Sequence, residues 1–263
     1  MSFKAPRGTA DILPDDQPYW RLVDGAAIRT ANLFGYRRID TPLFEDTRLF
    51  QRGVGEDTDI VEKEMYTFGD RGGDSLTLKP EGTAPVCRAY VENGMANLPH
   101  PVRLYYLTPM FRYDRPQAGR YRQFHQFGVE AIGDPSPAID AEIIELGWSF
   151  MTGLGLRGLS LKLNSIGDRI CRPSYREALK RYFTEHIHEM CRDCHSRLQR
   201  NPLRLLDCKN ESCQRIGDAA PKSADYLCGP CAEHWAQLHG HLDGLRSIYP
   251  DLKPQMDHRL VRG

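Results

Sequence analysis

Apolar positions change period repeatedly along the chain. Trp20, Val23, Ala27, Ala31 and Phe34 recur three or four apart, which predicts an amphipathic helix capped by Asp15 or Asp16 and stopped at Gly35. YRRIDTPLFE predicts a short strand, with Pro42 at its end or at an edge position. A polar, glycine-bearing loop, RGVGEDTDIVEK, leads to a strand expected over 65–68 and a turn at 71–73. Leu76 and Leu78 then alternate with polar residues up to Pro80, and a helix is expected from Thr83 and Ala84. Glu81 and Thr83 therefore stand at a strand-to-helix corner, where rigid elements can aim side chains into a cleft. The plainer alternative is that Thr83 caps the helix and Glu81 is solvated.

The strongest alternation lies further on. Runs over 107–114 and 121–131 flank RPQAG, whose Pro116 and Gly119 suit a tight turn or short loop, so an antiparallel hairpin is expected. With side chains on alternate faces, Arg112 and Asp114 share one face of the first strand. Arg120, Arg122, Phe124, Gln126 and Glu130 share a face of the second. The opposite face carries His125, Phe127 and Val129 and can pack on a core. A polar face with an aromatic plane at its centre suits the floor of a ligand site better than a solvated sheet face laced with ion pairs.

SPAIDAEIIELGWSFMTGLG predicts a helix with Ser136 at its N-cap, Pro137 in its first turn, and an apolar face of Ile143, Ile144, Gly147, Phe150, Met151 and Leu154. LSLKLNSIGD predicts a strand. From Arg169 to about Pro250 the texture becomes helical and cysteine-rich. One helix is expected from Pro173 with Leu179, Tyr182, Phe183, Ile187 and Met190. Another is expected over 225–249 with Trp235, Leu238, Leu242, Leu245 and Ile248. MDHRLVRG reads as a strand returning to the sheet.

Composition narrows the function classes. The 35 basic residues balance 35 acidic ones, so net charge argues for neither nonspecific nucleic-acid binding nor a membrane surface. No stretch approaches a signal peptide or a membrane span, and a soluble cytoplasmic protein is expected. Of eight cysteines, Cys87 and Cys171 stand alone in the sequence and six fall between Cys191 and Cys231. Cys191-x-x-Cys194 and Cys228-x-x-Cys231 have the spacing of zinc knuckles, and Cys208 with Cys213 makes a looser third pair. If the two helices fold antiparallel, Cys191, Cys194, Cys228 and Cys231 meet in one closed structural Zn²⁺ site. Otherwise the cysteines are reduced and pack as small hydrophobes. No His/Glu set that would activate water accompanies them, so a catalytic zinc is not expected.

Several of these stretches also resemble a known family. FRYDRPQAGRYRQFHQFGVEAIG resembles motif 2 of class II aminoacyl-tRNA synthetases in the form found in histidyl-tRNA synthetases. The helix–Gly–strand–Pro stretch before it is similar to motif 1, which forms the dimer interface in that class. PEGT is similar to the segment that holds the α-amino group of the amino acid, and NPLRLLDCKN resembles the insertion domain that approaches the acceptor arm of tRNA.

The resemblance implies an α+β fold: an antiparallel class II catalytic sheet flanked by helices, with an inserted helical domain. Its expected divisions are a core over 1–168, an insert over 169–250, and a returning strand over 251–263. It implies L-histidine, ATP with Mg²⁺, and the acceptor end of tRNA(His) as partners, and a homodimer. Arg112 is then the arginine at the α-phosphate, Arg120 meets the outer phosphates, and Phe124 stacks on adenine. Glu81, Thr83, Gln126 and Glu130 line the amino-acid pocket. Arg262 matches the arginine of the family segment LVRGLDYY, which meets the substrate carboxylate or α-phosphate. Asp114 stands where the class usually has the glutamate that reads the adenine amino group.

The resemblance reaches roughly the first three-fifths of the family pattern, before motif 3 and an anticodon-binding domain. The chain is therefore expected to be an N-terminal part that is poorly active alone. Two other readings compete: a noncatalytic paralogue resembling the regulatory subunit of ATP phosphoribosyltransferase, and a zinc-containing RNA-binding module.

Overall fold

Helix α1 (Gln17–Leu33) starts behind Asp16, whose carboxylate accepts the Leu13 amide at 3.3 Å and no amide of the helix, so Asp16 does not supply the expected side-chain cap. The helix ends where Gly35 takes a φ of 75°, letting the Tyr36 amide return to the Ala31 carbonyl at 2.9 Å. Its buried side chains are Ala26, Ala27 and Ala31, while Val23 stays exposed, so the packed face is made of smaller residues than the periodicity suggests. The structure, a computed structural model, describes residues 3–54 and 64–261. The expected loop RGVGEDTDIVEK lies largely outside the described residues. The chain folds as two compact units. One holds the described residues up to Pro135 together with Glu142–Gly155; the other holds Ser136–Ala141 together with the described residues from Leu156 on.

In the first unit the expected strand YRRIDTPLFE is two strands, β1 (Arg37–Arg38) and β2 (Phe44–Asp46), separated by the stretch that contains Pro42. Helix α2 (Thr47–Val54) follows. Strands β3 (Tyr66–Gly69) and β4 (Ser75–Leu78) pair antiparallel, with β2 on the other edge of β4. Helix α3 (Thr83–Glu92) begins where the sequence places it. Strands β5 (Val102–Phe111) and β6 (Gln123–Ile132) pair antiparallel over ten residues each, and β1 lies parallel to β5 on its other side. The Phe111 amide donates to the Lys79 carbonyl at 3.0 Å, so the end of β5 is tied to the end of β4.

The hairpin register sets its two faces. Tyr105, Phe127 and Val129 pack with Ala31, Tyr36 and Leu146 on one side, as the alternation predicts. The other side carries Leu104, Tyr106, Met110 and Phe124, packed with Val86 of α3. The connection is longer than the expected turn: regular pairing stops at Phe111 and Gln123, with a single isolated bridge between Gln117 and Arg120. Arg120 and Arg122 therefore belong to the connection and not to a strand face. Arg122 instead lies over the Tyr113 ring at 3.9 Å.

Helix α4 (Pro137–Gly153) starts behind Ser136, whose Oγ accepts the Ala138 amide at 3.2 Å. Its buried residues are Ile139, Ala141, Leu146 and Trp148, whereas Met151 of the predicted stripe is exposed. In the second unit β7 (Leu161–Leu163) pairs with β8 (Pro254–Met256), and the two are parallel. The strand expected near the end of the chain is thus β8, paired with the strand expected in LSLKLNSIGD; of MDHRLVRG only Met256 belongs to it, and the described residues after Met256 form turns. Between them run α5 (Arg172–His186), α6 (Arg192–Arg200), α7 (Leu203–Leu206), α8 (Glu211–Asp218) and α9 (Gly229–Leu245). Tyr175, Leu179, Phe183, Leu198, Leu205, Leu206 and the thiol side chains of Cys194, Cys208 and Cys213 form the buried core of this unit. No described helix is long and apolar enough to cross a membrane.

Candidate active site and thiol clusters

The strand-to-helix corner and the hairpin converge in the first unit. Glu81 is buried, and its carboxylate accepts the backbone amides of Thr83 and Ala84, each at 2.8 Å. It thus satisfies donors that the first turn of α3 leaves unpaired, with its charge favoured by the helix dipole. Capping falls to Glu81 and not to Thr83. Thr83 instead donates its hydroxyl across to Glu130 Oε1 on β6 at 2.8 Å. The pairing of Leu104 with Glu130 and of Thr108 with Gln126 puts Gln126 and Glu130 on the same face of β6 as Phe124.

Tyr106 completes this arrangement and was not anticipated. Its hydroxyl donates to Glu130 Oε1 at 3.4 Å, and its ring lies so close to Gly82 and Gly128 that a Cβ at either would fall 2.3 Å and 2.2 Å from Tyr106 Cζ. Burial, followed by the charges of Glu130 and Glu81, pushes the Tyr106 phenol well above its usual value, so it stays a proton donor. Two glycines opposite one tyrosine were the available signal: both make room for the same ring.

Arg112 stands just beyond β5. Its Nε donates to the Pro80 carbonyl at 2.8 Å, next to the Glu81 corner, and its guanidinium lies 5.2 Å from the Phe124 ring centroid. Arg112, Phe124, Glu81, Thr83 and Glu130 are thus brought to one region. Asp114 and Arg120 are joined to each other, with Arg120 Nε 2.9 Å from Asp114 Oδ2. Asp114 also accepts the Arg115 amide at 2.7 Å. Arg262 lies outside the described residues. Lys79, wholly buried beside the corner, donates from Nζ to the Thr41 carbonyl and hydroxyl at 3.2 and 3.3 Å; burial lowers its pKa.

In the second unit the cysteines group differently from the spacing argument. Cys191 and Cys194 meet Cys208 and Cys213, whereas Cys228 and Cys231 meet Asp168 and Cys171. The expected single site of Cys191, Cys194, Cys228 and Cys231 does not form. The two CxxC pairs sit at the starts of α6 and α9, and each is met by a different segment. Cys171, alone in the sequence, is a member of the second group. The signal for it was Asp168-x-x-Cys171, which repeats the CxxC spacing with a carboxylate in the first place. In the first group Cys191 Sγ lies 3.5 Å from Cys194 Sγ and 3.7 Å from Cys208 Sγ. Burial opposes ionisation of Cys191, but hydrogen bonds from the Cys194 backbone and from neighbouring thiols hold its thiol down to about 7.

The sequence model of the family described as "Histidyl-tRNA synthetase" matches residues 8–193. The chain belongs to the histidyl-tRNA synthetase family. A histidine--tRNA ligase of Dehalococcoides mccartyi is 60% identical over 261 residues, 99% of this chain and 61% of the relative. One of Desulforudis audaxviator is 56% identical over 263 residues, 100% of this chain and 61% of the relative. The chain therefore spans about three-fifths of the length of these curated relatives. Among solved structures, the apo histidyl-tRNA synthetase of S. aureus aligns with a TM-score of 0.76 at 40% identity, covering 100% of this chain and 58% of that one. A Bacillus halodurans protein described as an ATP phosphoribosyltransferase regulatory subunit/histidyl-tRNA synthetase aligns at 0.68 with 23% identity, covering 100% and 69%, a likeness of fold. The fold is thus that of a class II synthetase.

Proposed function

We propose that this chain carries the amino-acid pocket and α-phosphate contact of a cytoplasmic histidine--tRNA ligase. Such an enzyme joins L-histidine to ATP, releasing diphosphate, and passes the histidyl group to tRNA(His), releasing AMP. The observation that carries this reading is the convergence of Thr83, Tyr106 and Glu130 beside Arg112 and Phe124. Glu130, held by two hydroxyls, offers a negative acceptor to the substrate's ammonium group, and Gln126 on the same face can serve the imidazole. Arg112, fixed through Nε by Pro80, is oriented to meet the α-phosphate as the carboxylate attacks phosphorus and negative charge builds. Phe124 offers a face for adenine, and Arg120 with Asp114 supplies polar groups near the hairpin tip for the rest of the nucleotide.

Mg²⁺ accompanies ATP and offsets the triphosphate charge. A structural zinc fits the Cys191 group, whose sulfur spacings of 3.5 and 3.7 Å approach the edge of about 3.8 Å required by Zn–S bonds of about 2.3 Å. A homodimer through α1 is supported by Tyr19, Leu22 and Leu33, which are exposed on that helix. The high identity to histidine--tRNA ligases favours the synthetase over the regulatory paralogue and over a zinc-containing RNA-binding module.

The test is ATP–diphosphate exchange by this chain joined to the remaining C-terminal segment of the D. mccartyi relative. Exchange should depend on histidine and not on other amino acids. Histidine binding without any exchange would support the regulatory alternative.

A further inference from the structure

The second thiol group has the marks of a metal site in its own right. Cys171 Sγ lies 3.3 Å from Asp168 Oδ1, and Cys228 Sγ lies 3.8 and 3.9 Å from the two Asp168 oxygens. With Cys231, the four ligand atoms all fall within 4.8 Å of one another. A tetrahedral zinc with Zn–S of about 2.3 Å and Zn–O of about 2.1 Å sets sulfur–oxygen edges of about 3.6 Å, so these spacings need only small adjustment.

The backbone is shaped around these ligands. Gly167 has a φ of +65°, and a Cβ there would fall 2.3 Å from Cys171 Sγ, so the position just before Asp168 is kept open for the thiol. The Asp168 amide donates to Cys171 Sγ at 3.2 Å. Asp168 Oδ1 accepts the amides of Ile170 and Cys171 at 2.8 and 3.0 Å, which fixes the carboxylate. Cys171 is the N-cap of α5 and Cys228 the N-cap of α9, and neither side chain caps its helix. The sulfurs instead turn to one another at two positive helix ends, where thiolates are stabilised.

We propose that the second unit binds two zinc ions at independent sites: one at Cys191, Cys194, Cys208 and Cys213, and another at Asp168, Cys171, Cys228 and Cys231. The two have different architectural roles. The first holds the start of α6 to the segments around α7 and α8. The second joins the start of α5 to the start of α9, so it clips together the two ends of the stretch containing α5 to α8. A clip across a long loop removes chain entropy from the unfolded state, which suits a unit of short helices. The sites also differ in strength: a carboxylate oxygen in place of a fourth thiolate makes the Asp168 site the weaker for zinc.

The experiment is elemental analysis of the full 263-residue chain, purified reduced and without added metal, followed by zinc release to a chromogenic chelator. About two zinc ions per chain are expected, leaving in two phases. The paired substitution Cys228→Ser/Cys231→Ser should leave one zinc and abolish the fast phase. Cys208→Ser/Cys213→Ser should leave one and abolish the slow phase. Because those pairs remove buried or half-buried side chains, Asp168→Cys gives a second test: it leaves four ligands at the site and should slow the fast phase by about tenfold or more, with far-ultraviolet circular dichroism checking that the helices persist.

The proposal is overturned if the unsubstituted chain holds one zinc or none. It is also overturned if Cys228→Ser/Cys231→Ser retains both ions. Unchanged release kinetics in Asp168→Cys would remove Asp168 from the ligand set and overturn the site as drawn.

Discussion

The Tyr106 ring lies directly against Gly128, so closely that a methyl group there would fall 2.2 Å from Tyr106 Cζ. These residues face each other across the β5–β6 pair, and the same ring rests on Gly82 at the strand-to-helix corner. The contact sets the distance between the corner that carries Thr83 and the strand that carries Glu130.

Gly128→Ala should therefore displace Tyr106 and loosen the pocket, destabilising the first unit by about 1–3 kcal/mol, the usual cost of overpacking. Chemical denaturation of the single variant measures the loss. Adding Tyr106→Leu, which removes the obstructing ring, should recover part of it. A neutral Gly128→Ala would show that the ring does not hold this position.

Arg112→Ala should lower histidine-dependent ATP–diphosphate exchange by about 100-fold or more in the chain joined to the C-terminal segment of a relative. This is the range found when an oriented donor to developing charge is removed. Far-ultraviolet circular dichroism should be unchanged. Near-normal exchange would remove Arg112 from the reacting centre.

Glu142 links two elements of the first unit: Arg103 donates to its two oxygens at 2.8 Å each, and the Tyr36 hydroxyl donates to Oε1 at 3.0 Å. The Arg103 hydrogen bonds hold its carboxyl below the ordinary glutamate value, burial opposes them, and Tyr36 lowers it further. A carboxylate held low in the folded state contributes stability above its unfolded pKa, and that contribution is lost as the pH falls through the lower, folded value. Thermal stability should thus fall on the acid side of about pH 4, the unfolded range for glutamate. Glu142→Gln should reduce that acid-side slope while costing about 1–3 kcal/mol at pH 7, as a part-buried charged hydrogen-bond partner is lost. An unchanged acid-side slope in the variant would count against this linkage.

Local signals carried much of the fold. Gly35, Pro137 and the alternation of β5 and β6 act within a few residues of themselves, so the end of α1, the start of α4 and the faces of the paired part of the hairpin were legible in the chain. Asp16, by contrast, starts α1 without capping it, and Arg120 and Arg122 fall in the connection. The start of α3 was legible too, although its cap is Glu81 and not Thr83. The corner PEGT could be located, and the resemblance supplied roles for Glu81, Thr83 and Glu130. That Thr83 bonds Glu130 depends on two segments 47 residues apart meeting.

The cysteines show the limit most plainly. Knuckle spacing identified two pairs, because residues i and i+3 at a helix start bring two sulfurs to one side wherever that helix lies. Which segment completes each pair is a property of long-range packing, which carries no local period. Only the tertiary structure could set Cys208 and Cys213 beside Cys191, and bring Cys171 and, from sixty residues away, Asp168 to Cys228.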